Sequence, residues 1–208
     1  MVSYGLMDVN FIFSIIVLIF SVILHEVAHG FAAEMLGDPT ARLQGRLTLN
    51  PLAHIDLFGS IILPVISYFS GGFIIGWAKP VPYNPYNLKN QRWGEAIVAG
   101  AGPATNISIA LIFGLFLRFS GASVSATLLA IVSTIVIINL VLAIFNLVPI
   151  PPLDGSKILF SIAPNRLANF RAFMERYSLL VILFFIFFLW QLILPIVYWL
   201  FTLITGMA

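Results

Sequence analysis

Two histidines and a glutamate stand close together in an apolar stretch near the start of the chain. They are His25, Glu26 and His29, within the sequence ILHEVAHGFA at residues 23–32. On a helix, residues four apart lie on one face, about 6 Å apart along the axis. Two imidazoles placed in this way can bind one Zn²⁺ from the same side, and Glu26 can accept a proton from a water at the metal. The spacing therefore predicts a catalytic metal site.

The composition strengthens this interpretation. The chain has 208 residues, of which 61% are hydrophobic and 9% are charged, whereas a soluble domain carries roughly 25% charged residues. Such a chain cannot cover a water-facing surface, so we expect an integral membrane protein. Ionisable side chains within membrane spans are expensive and usually functional. A purely structural role for the two histidines is therefore a weaker explanation here than it would be in a soluble helix.

Apolar runs predict the elements that must position these residues. A membrane-spanning helix takes about 20 residues, so we expect an all-α polytopic membrane protein with about four to six transmembrane helices. We treat residues 1–208 as a single membrane domain, with a catalytic core at about 11–160. An interfacial helix and a transmembrane segment follow at about 164–208. The apolar runs fall at residues 11–33, 59–76, 95–118, 125–148 and 178–206.

The distribution of charge indicates how the run at 59–76 is placed. Pro64 and a Gly71–Gly72 pair interrupt this run. If it re-enters, nine of the ten Lys and Arg residues lie on one side and only Arg118 lies on the other; if it spans, the split is seven to three. The positive-inside rule favours the re-entrant arrangement, with the N-terminus outside. We therefore expect a multi-pass protein of the cytoplasmic membrane whose active site faces the cytoplasm.

The C-terminal part of the chain predicts two further elements. Residues 164–177 place their apolar side chains near one helical face, which is typical of a helix lying in the membrane interface. The run at 178–206 is longer than one span needs. It fits either a tilted helix bent at Pro195 or a short hairpin.

A candidate third metal ligand lies far along the chain. A catalytic zinc site needs three protein ligands and an open position. Asp154 follows Pro149, Pro151 and Pro152, which end a helix and stiffen an extended turn that could bring the carboxylate back to the bilayer. Asp154 could equally be an ordinary N-cap for the helix that follows. The spacing alone does not decide between the two.

With both patterns read, the chain resembles the site-2 protease family of intramembrane zinc metalloproteases. In that family a His-Glu-x-x-His pattern, here at residues 25–29, pairs with a distant N-x-x-P-x-x-x-D-G-type motif, here at 146–155. A third family feature, G-P-x-x-N, occurs at residues 102–106. The stretches GRLTLNPLAHIDLFGS and GWAKPVPYNP further resemble the compact prokaryotic branch that has no PDZ domain.

The resemblance implies a function and a role for each motif residue. It implies that His25, His29 and Asp154 hold one Zn²⁺ per chain and that Glu26 is the catalytic base. The implied activity is that of an intramembrane zinc endopeptidase, which cleaves transmembrane segments of membrane proteins in regulated intramembrane proteolysis. Its partners would be a transmembrane protein or peptide substrate and the lipid bilayer. We expect no nucleic-acid partner, and the sequence does not define an oligomeric state.

Three other polar residues are candidates for contacts with the substrate or the oxyanion. A role at the site is favoured for Asn146 because it lies on the ligand-bearing motif. Asn106 could as well form a hydrogen bond that only joins two helices. His54, close to Asp56, could serve the site or could belong to a hydrogen-bonded turn at the interface.

Residues 43–49 predict a small β element at the membrane surface. Leu47 and Leu49 lie on one side of Thr48, as in a short strand. A free strand edge there could pair with a locally unwound substrate. An ordinary hairpin explains the same pattern.

Two alternative functions use the same residues. A metal-ion transporter could line its path with His and Asp, but transporters tend to show paired repeats, and none is visible in this sequence. A protein that binds membrane partners without cleaving them would have no need of Glu26.

Overall fold

The computed structural model describes residues 2–62, 66, 77–120, 124–162 and 166–207, and of residues 2–10 and 61 it describes the backbone alone. The described residues form helices joined by loops and short helical turns. The α-helices are α1 (Val2–Met35), α2 (Thr40–Leu43), α3 (Gly94–Ser120), α4 (Ala126–Leu147), α5 (Asp154–Ile162), α6 (Ala168–Arg176), α7 (Ser178–Phe184) and α8 (Ile193–Thr205).

Four helical segments within this part of the chain are long and apolar enough to cross a membrane. They are Phe11–Met35 of α1, the whole of α3, the whole of α4, and the run Ser178–Thr205. The expected all-α polytopic membrane protein is confirmed, and four is the lower end of the expected number of spans. Because lipid offers no hydrogen-bond partners, a helix that satisfies its own backbone is the favoured way for such runs to cross.

The first two spans, α1 and α3, pack side by side and run in opposite directions. His29 of α1 contacts Val98 near the start of α3, while Ser21, two turns earlier in α1, contacts Asn106 further along α3. Helix α4 packs against both α1 and α3, and α8 packs against α3 and α4. Buried apolar side chains from α3, α4 and α8 form the main hydrophobic cluster, which includes Ala110, Val136, Leu140 and Val197.

The C-terminal run forms one helical crossing, not a hairpin. Between α7 and α8 the helix widens into a π-helical turn, Phe185–Leu189, and then tightens into a 3₁₀ turn, Trp190–Leu192. Proline has no N–H to donate and its ring clashes with the carbonyl four residues earlier. The carbonyl four residues before Pro195 is that of Gln191, in the 3₁₀ turn, so these two effects explain the 3₁₀ turn.

The run at 59–76 lies largely outside the described residues, but both of its ends are described and contact each other. The Trp77 N–H donates to the Gly59 carbonyl at 3.0 Å, and the Ser60 hydroxyl donates to the Trp77 carbonyl at 2.9 Å. A crossing would separate its two ends by the roughly 30 Å thickness of the hydrocarbon core. The chain therefore leaves and returns on the same side of the bundle, as the charge distribution predicts.

This arrangement sorts the basic residues by side. The end of α1, the start of α3, the end of α4 and helix α5 all lie at one end of the bundle, together with nine of the ten Lys and Arg residues. Arg118 lies at the opposite end, where its Nη1 donates to the Leu203 carbonyl at 2.6 Å. The nine-to-one split calculated from the sequence matches the packing of the described helices.

The expected β element is not observed among the described residues. Residues 46–50 lie outside any helix or strand, and the Thr48 carbonyl accepts a hydrogen bond from His54 Nε2 at 2.8 Å. A strand needs a second backbone segment at its side, and here the partner is a side chain.

Gly37 and Asp38 fix the turn that follows α1. Gly37 has a φ of 106°, and the Asp38 N–H closes the helix end by donating to the Ala33 carbonyl. The buried Asp38 carboxylate then accepts hydrogen bonds from Thr40, Asn84 and Asn87. Burial alone would raise the pKa of Asp38, but these hydrogen bonds outweigh it and lower that pKa. The carboxylate thereby ties the loop before α3 to the end of α1.

Single cysteines can test the sidedness of the loops, because the chain contains no cysteine. Leu43→Cys and Tyr86→Cys flank the run at 59–76, and Phe119→Cys lies at the far end of α3; the three side chains are 80%, 87% and 80% exposed. In sealed vesicles, a membrane-impermeant maleimide should label the first two from one side and the third from the other. Labelling of Leu43→Cys and Tyr86→Cys from opposite sides would contradict the re-entrant arrangement.

Candidate metal centre

Three potential metal ligands meet inside the bundle. The carboxylate Oδ2 of Asp154 lies 3.1 Å from His25 Nε2 and 3.2 Å from His29 Nε2. All three side chains are buried, and one ligand atom from each lies within 4.8 Å of the others. This is the only group of three or more such side chains that the described part of the chain brings together.

Helix α1 supplies both histidines, and the turn after α4 supplies the aspartate. The four-residue spacing places the two imidazoles on one face, edge to face, with ring centroids 4.6 Å apart. Helix α4 ends at Leu147, and the proline-rich turn then delivers Asp154 as the first residue of α5. A Cβ on Gly155 would lie 2.1 Å from the Leu147 carbonyl oxygen. Only glycine lets the turn fold this tightly against the end of α4.

The second nitrogen of each imidazole has a fixed acceptor. His25 Nδ1–H donates to Asn106 Oδ1 at 2.6 Å, and His29 Nδ1–H donates to the Val98 carbonyl at 2.7 Å. With each Nδ1 acting as the donor, a neutral imidazole presents the lone pair of Nε2. Both lone pairs then point towards the Asp154 carboxylate.

This donor set fits a zinc ion. One anionic oxygen and two nitrogen lone pairs are a common ligand set for Zn²⁺. Ligand atoms on a tetrahedral zinc lie about 3.3 Å apart, given bonds of about 2.0–2.1 Å. The observed separations of 3.1 and 3.2 Å match that spacing.

A glycine of α3 leaves room for the ligand atoms. A Cβ on Gly102 would lie 2.5 Å from the Nε2 atoms of both His25 and His29. The absence of a side chain at this position therefore keeps one face of the ligand group open. Gly102 begins the G-P-x-x-N feature, whose asparagine is the partner of His25.

Glu26 lies beside the two histidines and is held by backbone. Its Oε2 accepts the Val81 N–H at 2.8 Å. The same backbone segment is held from another direction by Arg46, whose Nη2 donates to the Lys79 and Pro80 carbonyls at 2.8 and 3.2 Å. No other described residue hydrogen-bonds the Glu26 carboxylate, so Oε1 has no hydrogen-bond donor within the described part of the chain.

The structure places the remaining candidates differently. Asn106 is fully buried, and its amide contacts His25, Asn139 and Ser21. Asn146 Nδ2 donates to the Leu142 carbonyl of its own helix at 2.9 Å, away from the ligand group in every contact described.

His54 is also buried and belongs to the loop between α2 and the run at 59–76. Its Nε2 donates to the Thr48 carbonyl, and its Nδ1 has no partner among the described residues. Contacts of Asn106, Asn146 and His54 with a substrate stay predictions. The hydrogen bond that Asn106 makes to His25 indicates a different role for Asn106, which is to orient the His25 ring.

Sequence reasoning missed four groups at the site: the side chains of Ser21 and Asn139, the carbonyl of Val98 and the N–H of Val81. A polar amide in the middle of a span is itself a signal, because such groups are costly in lipid. Asn139 could have been found in this way. Backbone partners such as Val98 and Val81 have no side-chain signature, so no sequence pattern could have identified them.

Comparisons with known proteins agree with this geometry. The profile of peptidase family M50 matches residues 13–124 and 114–189. YwhC of Bacillus subtilis, provisionally named a zinc metalloprotease, is 38% identical over 81% of this chain and 77% of its own length. Two further relatives have similar provisional names. Rip2 of Mycolicibacterium smegmatis is 35% identical over 65% of this chain and 51% of its own length. MJ0611 of Methanocaldococcus jannaschii is 33% identical over 71% of this chain and 72% of its own length. No solved structure matches the chain significantly.

Two glycines of α3 provide a matched test of the ligand geometry. Gly102→Ala should abolish zinc binding, because the added methyl group would collide with both Nε2 atoms. Gly100→Ala meets nothing within 4 Å and should bind zinc as the unmodified protein does, with a stability gain of about 0.5–1 kcal/mol from helix propensity. Metal content after purification measures both, and equal zinc in the two variants would show that the metal lies elsewhere.

Proposed function

The chain belongs to peptidase family M50, the site-2 protease family, and from this premise we propose that it hydrolyses peptide bonds within the transmembrane segments of other membrane proteins. It is a multi-pass membrane protein of a zinc metalloprotease family. The depth of the ligand group is the observation that carries the proposal. His25 lies ten residues before the end of the Phe11–Met35 span, about 15 Å along the helix axis. A site at that depth is reached by a substrate that is itself in the membrane.

We assign the metal ligands as His25, His29 and Asp154, holding one Zn²⁺. When bound, the ion supplies a Lewis acid that acidifies water and polarises a peptide carbonyl. Asn106 and the Val98 carbonyl keep both Nδ1 hydrogens engaged, so each histidine offers Nε2. Such outer contacts fix the ring orientation and the tautomer of a metal-binding histidine.

Glu26 is the proposed general base. The Val81 N–H fixes one carboxylate oxygen, which leaves the other to accept a proton from the attacking water. The hydroxyl oxygen of that water forms a bond to the carbonyl carbon of the substrate. Glu26 then returns the proton to the amide nitrogen as the C–N bond breaks, which releases a neutral amine.

A helical substrate must unwind before its carbonyl carbon can be attacked, because helix carbonyls are enclosed by hydrogen bonds. We propose that residues 46–50 receive the unwound backbone. Among the described residues, none hydrogen-bonds the N–H or C=O groups of Leu47 or Leu49. A groove lies beside them, lined by apolar side chains of α1 and by residues of this segment: Leu24, Val27, Ala28, Phe31, Leu47, Thr48 and Leu49. An extended peptide there would gain backbone hydrogen bonds and an apolar contact surface.

The active site is assigned to the cytoplasmic face of the cytoplasmic membrane. The end of the bundle that holds His29 and Asp154 carries nine of the ten basic residues. Positive residues in short loops are retained on the cytoplasmic side. The proposed partners are therefore a transmembrane protein or peptide substrate and the surrounding lipid.

Two substitutions separate metal binding from catalysis. Glu26→Gln should keep about one zinc per chain and lose cleavage of a transmembrane substrate by at least about 100-fold, because it removes only the general base. Asp154→Asn should lose zinc as well as cleavage, because it removes the anionic ligand. Zinc per chain in detergent and product formation on a gel measure both effects.

Removal of zinc with a chelator, followed by its return, is the matched control for the Glu26→Gln and Asp154→Asn measurements. It should abolish and then restore cleavage by the unmodified protein. If Glu26→Gln cleaves normally while it holds zinc, the catalytic assignment is wrong, and metal transport or partner binding becomes the better interpretation.

A proline at position 49 tests whether the substrate pairs with the backbone of residues 46–50. Leu49→Pro removes a free N–H, so cleavage of a helical substrate should fall by about tenfold or more while zinc content is unchanged. Leu49→Ala keeps the N–H and shortens the same side chain, so it controls for lost apolar contact. Equal activity of the two variants would rule out pairing at this position.

A further inference from the structure

A chain of buried hydrogen bonds runs away from His25 across three helices. Asn106 of α3 donates from Nδ2 to Asn139 Oδ1 at 2.8 Å and to the Ser21 carbonyl at 3.3 Å. Asn139 of α4 donates from its own Nδ2 to Ser21 Oγ at 3.0 Å and to the Ile135 carbonyl at 2.9 Å. Both asparagines are fully buried, and Ser21 is 4% exposed.

The contacts of Asn139 determine which way its amide points. The two groups near its Nδ2 are a backbone carbonyl, which can only accept, and a hydroxyl oxygen, which can accept. The amide nitrogen must therefore face Ile135 and Ser21. The Ser21 hydroxyl could also donate to an oxygen, so the Ile135 carbonyl decides the orientation: a flipped amide would place two acceptor oxygens against each other in a buried site and lose a hydrogen bond, at a cost of about 1–3 kcal/mol. The Oδ1 of Asn139 is thereby directed at Asn106.

The orientation of Asn139 in turn fixes the orientation of the Asn106 amide. Because Asn139 Oδ1 and the Ser21 carbonyl are both acceptors, the Asn106 amide must present Nδ2 to them. Its Oδ1 is left facing His25, where only a donor satisfies it, so the hydrogen of the imidazole lies on Nδ1. His25 Nε2 is then the nitrogen with the lone pair, on the side of Asp154.

We infer that Asn139, with Ser21, is a positioning residue that sets the tautomer of His25 through Asn106. The inference rests on the proposed role of His25 as a metal ligand. Asn139 touches neither the ligand group nor Glu26 in any contact described. Without Asn139, Asn106 keeps only its longer 3.3 Å hydrogen bond to the Ser21 carbonyl. Its amide can then flip more easily and offer Nδ2 to the imidazole, which would need its lone pair at Nδ1 and its hydrogen at Nε2. That tautomer cannot bind metal through Nε2.

The experiment measures zinc affinity by competition with a chelating dye, alongside the melting temperature of each detergent-solubilised variant. Asn139→Leu removes the acceptor with little change in volume and should weaken zinc binding by about 10- to 100-fold, as loss of an outer partner of a ligand histidine does. Asn139→Asp keeps an acceptor facing Asn106 in either protonation state and should bind zinc more tightly than Asn139→Leu. Ser21→Ala removes one of the two acceptors of Asn139 and leaves the Ile135 carbonyl, so it should weaken zinc binding less than Asn139→Leu does. This variant tests the inference if Asn139→Leu does not fold.

A double-substitution cycle tests whether Asn139 acts through Asn106. If it does, Asn139→Leu should change zinc affinity little in an Asn106→Leu background, because the path to His25 is already broken. Thr134→Val is the matched control on α4, since among the described residues the Thr134 hydroxyl donates a hydrogen bond to the Ala130 carbonyl of its own helix and to no other group. Its zinc affinity should equal that of the unmodified protein.

The outcomes separate the inference from the proposed function. Unchanged zinc affinity in Asn139→Leu, equal losses in Asn139→Leu and Asn139→Asp, or fully additive losses in the cycle would each overturn the positioning role. If His25→Ala also binds zinc normally, the assignment of the metal ligands fails with it. If His25→Ala loses zinc while Asn139→Leu does not, the proposed function stands and only the inference about Asn139 is wrong.

Discussion

A polar group placed among the membrane spans must find a partner within the protein, because lipid offers none. The arrangement around His25 follows from that constraint. One ring nitrogen faces Asp154 and the other is taken up by Asn106, whose amide is in turn satisfied by Asn139 and Ser21. Three spans are joined through these contacts. The cost of burying the ligand group is thus offset by a network that also fixes how its members point.

Close approach of the backbone is the second requirement of the site, and glycine meets it at three places. A Cβ on Gly102 would overlap the two imidazoles, one on Gly155 would overlap the end of α4, and one on Gly30 would lie 2.5 Å from Leu47. The first two permit the ligand group to assemble. The third lets residues 46–50 lie against α1, one residue beyond His29, where we propose that a substrate backbone binds.

Much of the fold and of the candidate site could be predicted from the sequence, and the physical reason differs between the spans, the histidines and Asp154. The spans could be predicted because an apolar run of about 20 residues has few alternatives, and the positions of His25 and His29 follow from helical periodicity. The prediction of Asp154 as a ligand needed the family resemblance, because a sequence does not show in which direction a proline-rich turn carries the next side chain. The β element was wrongly expected because alternation at 47–49 does not supply a neighbouring strand. Backbone partners such as Val98 could not be predicted, since every residue carries the same carbonyl.

The proposed metal centre and the contact between the two ends of the run at 59–76 constrain each other. Two spans, α3 and α4, separate His29 from Asp154, so the two proposed ligands share one side only if the rest of the intervening chain crosses an even number of times. A crossing by the run at 59–76 would have placed Asp154 across the bilayer from His29. The hydrogen bonds between Gly59, Ser60 and Trp77 and the contact between His29 and Asp154 are separate observations. They require the same topology, and the one-sided distribution of basic residues favours it.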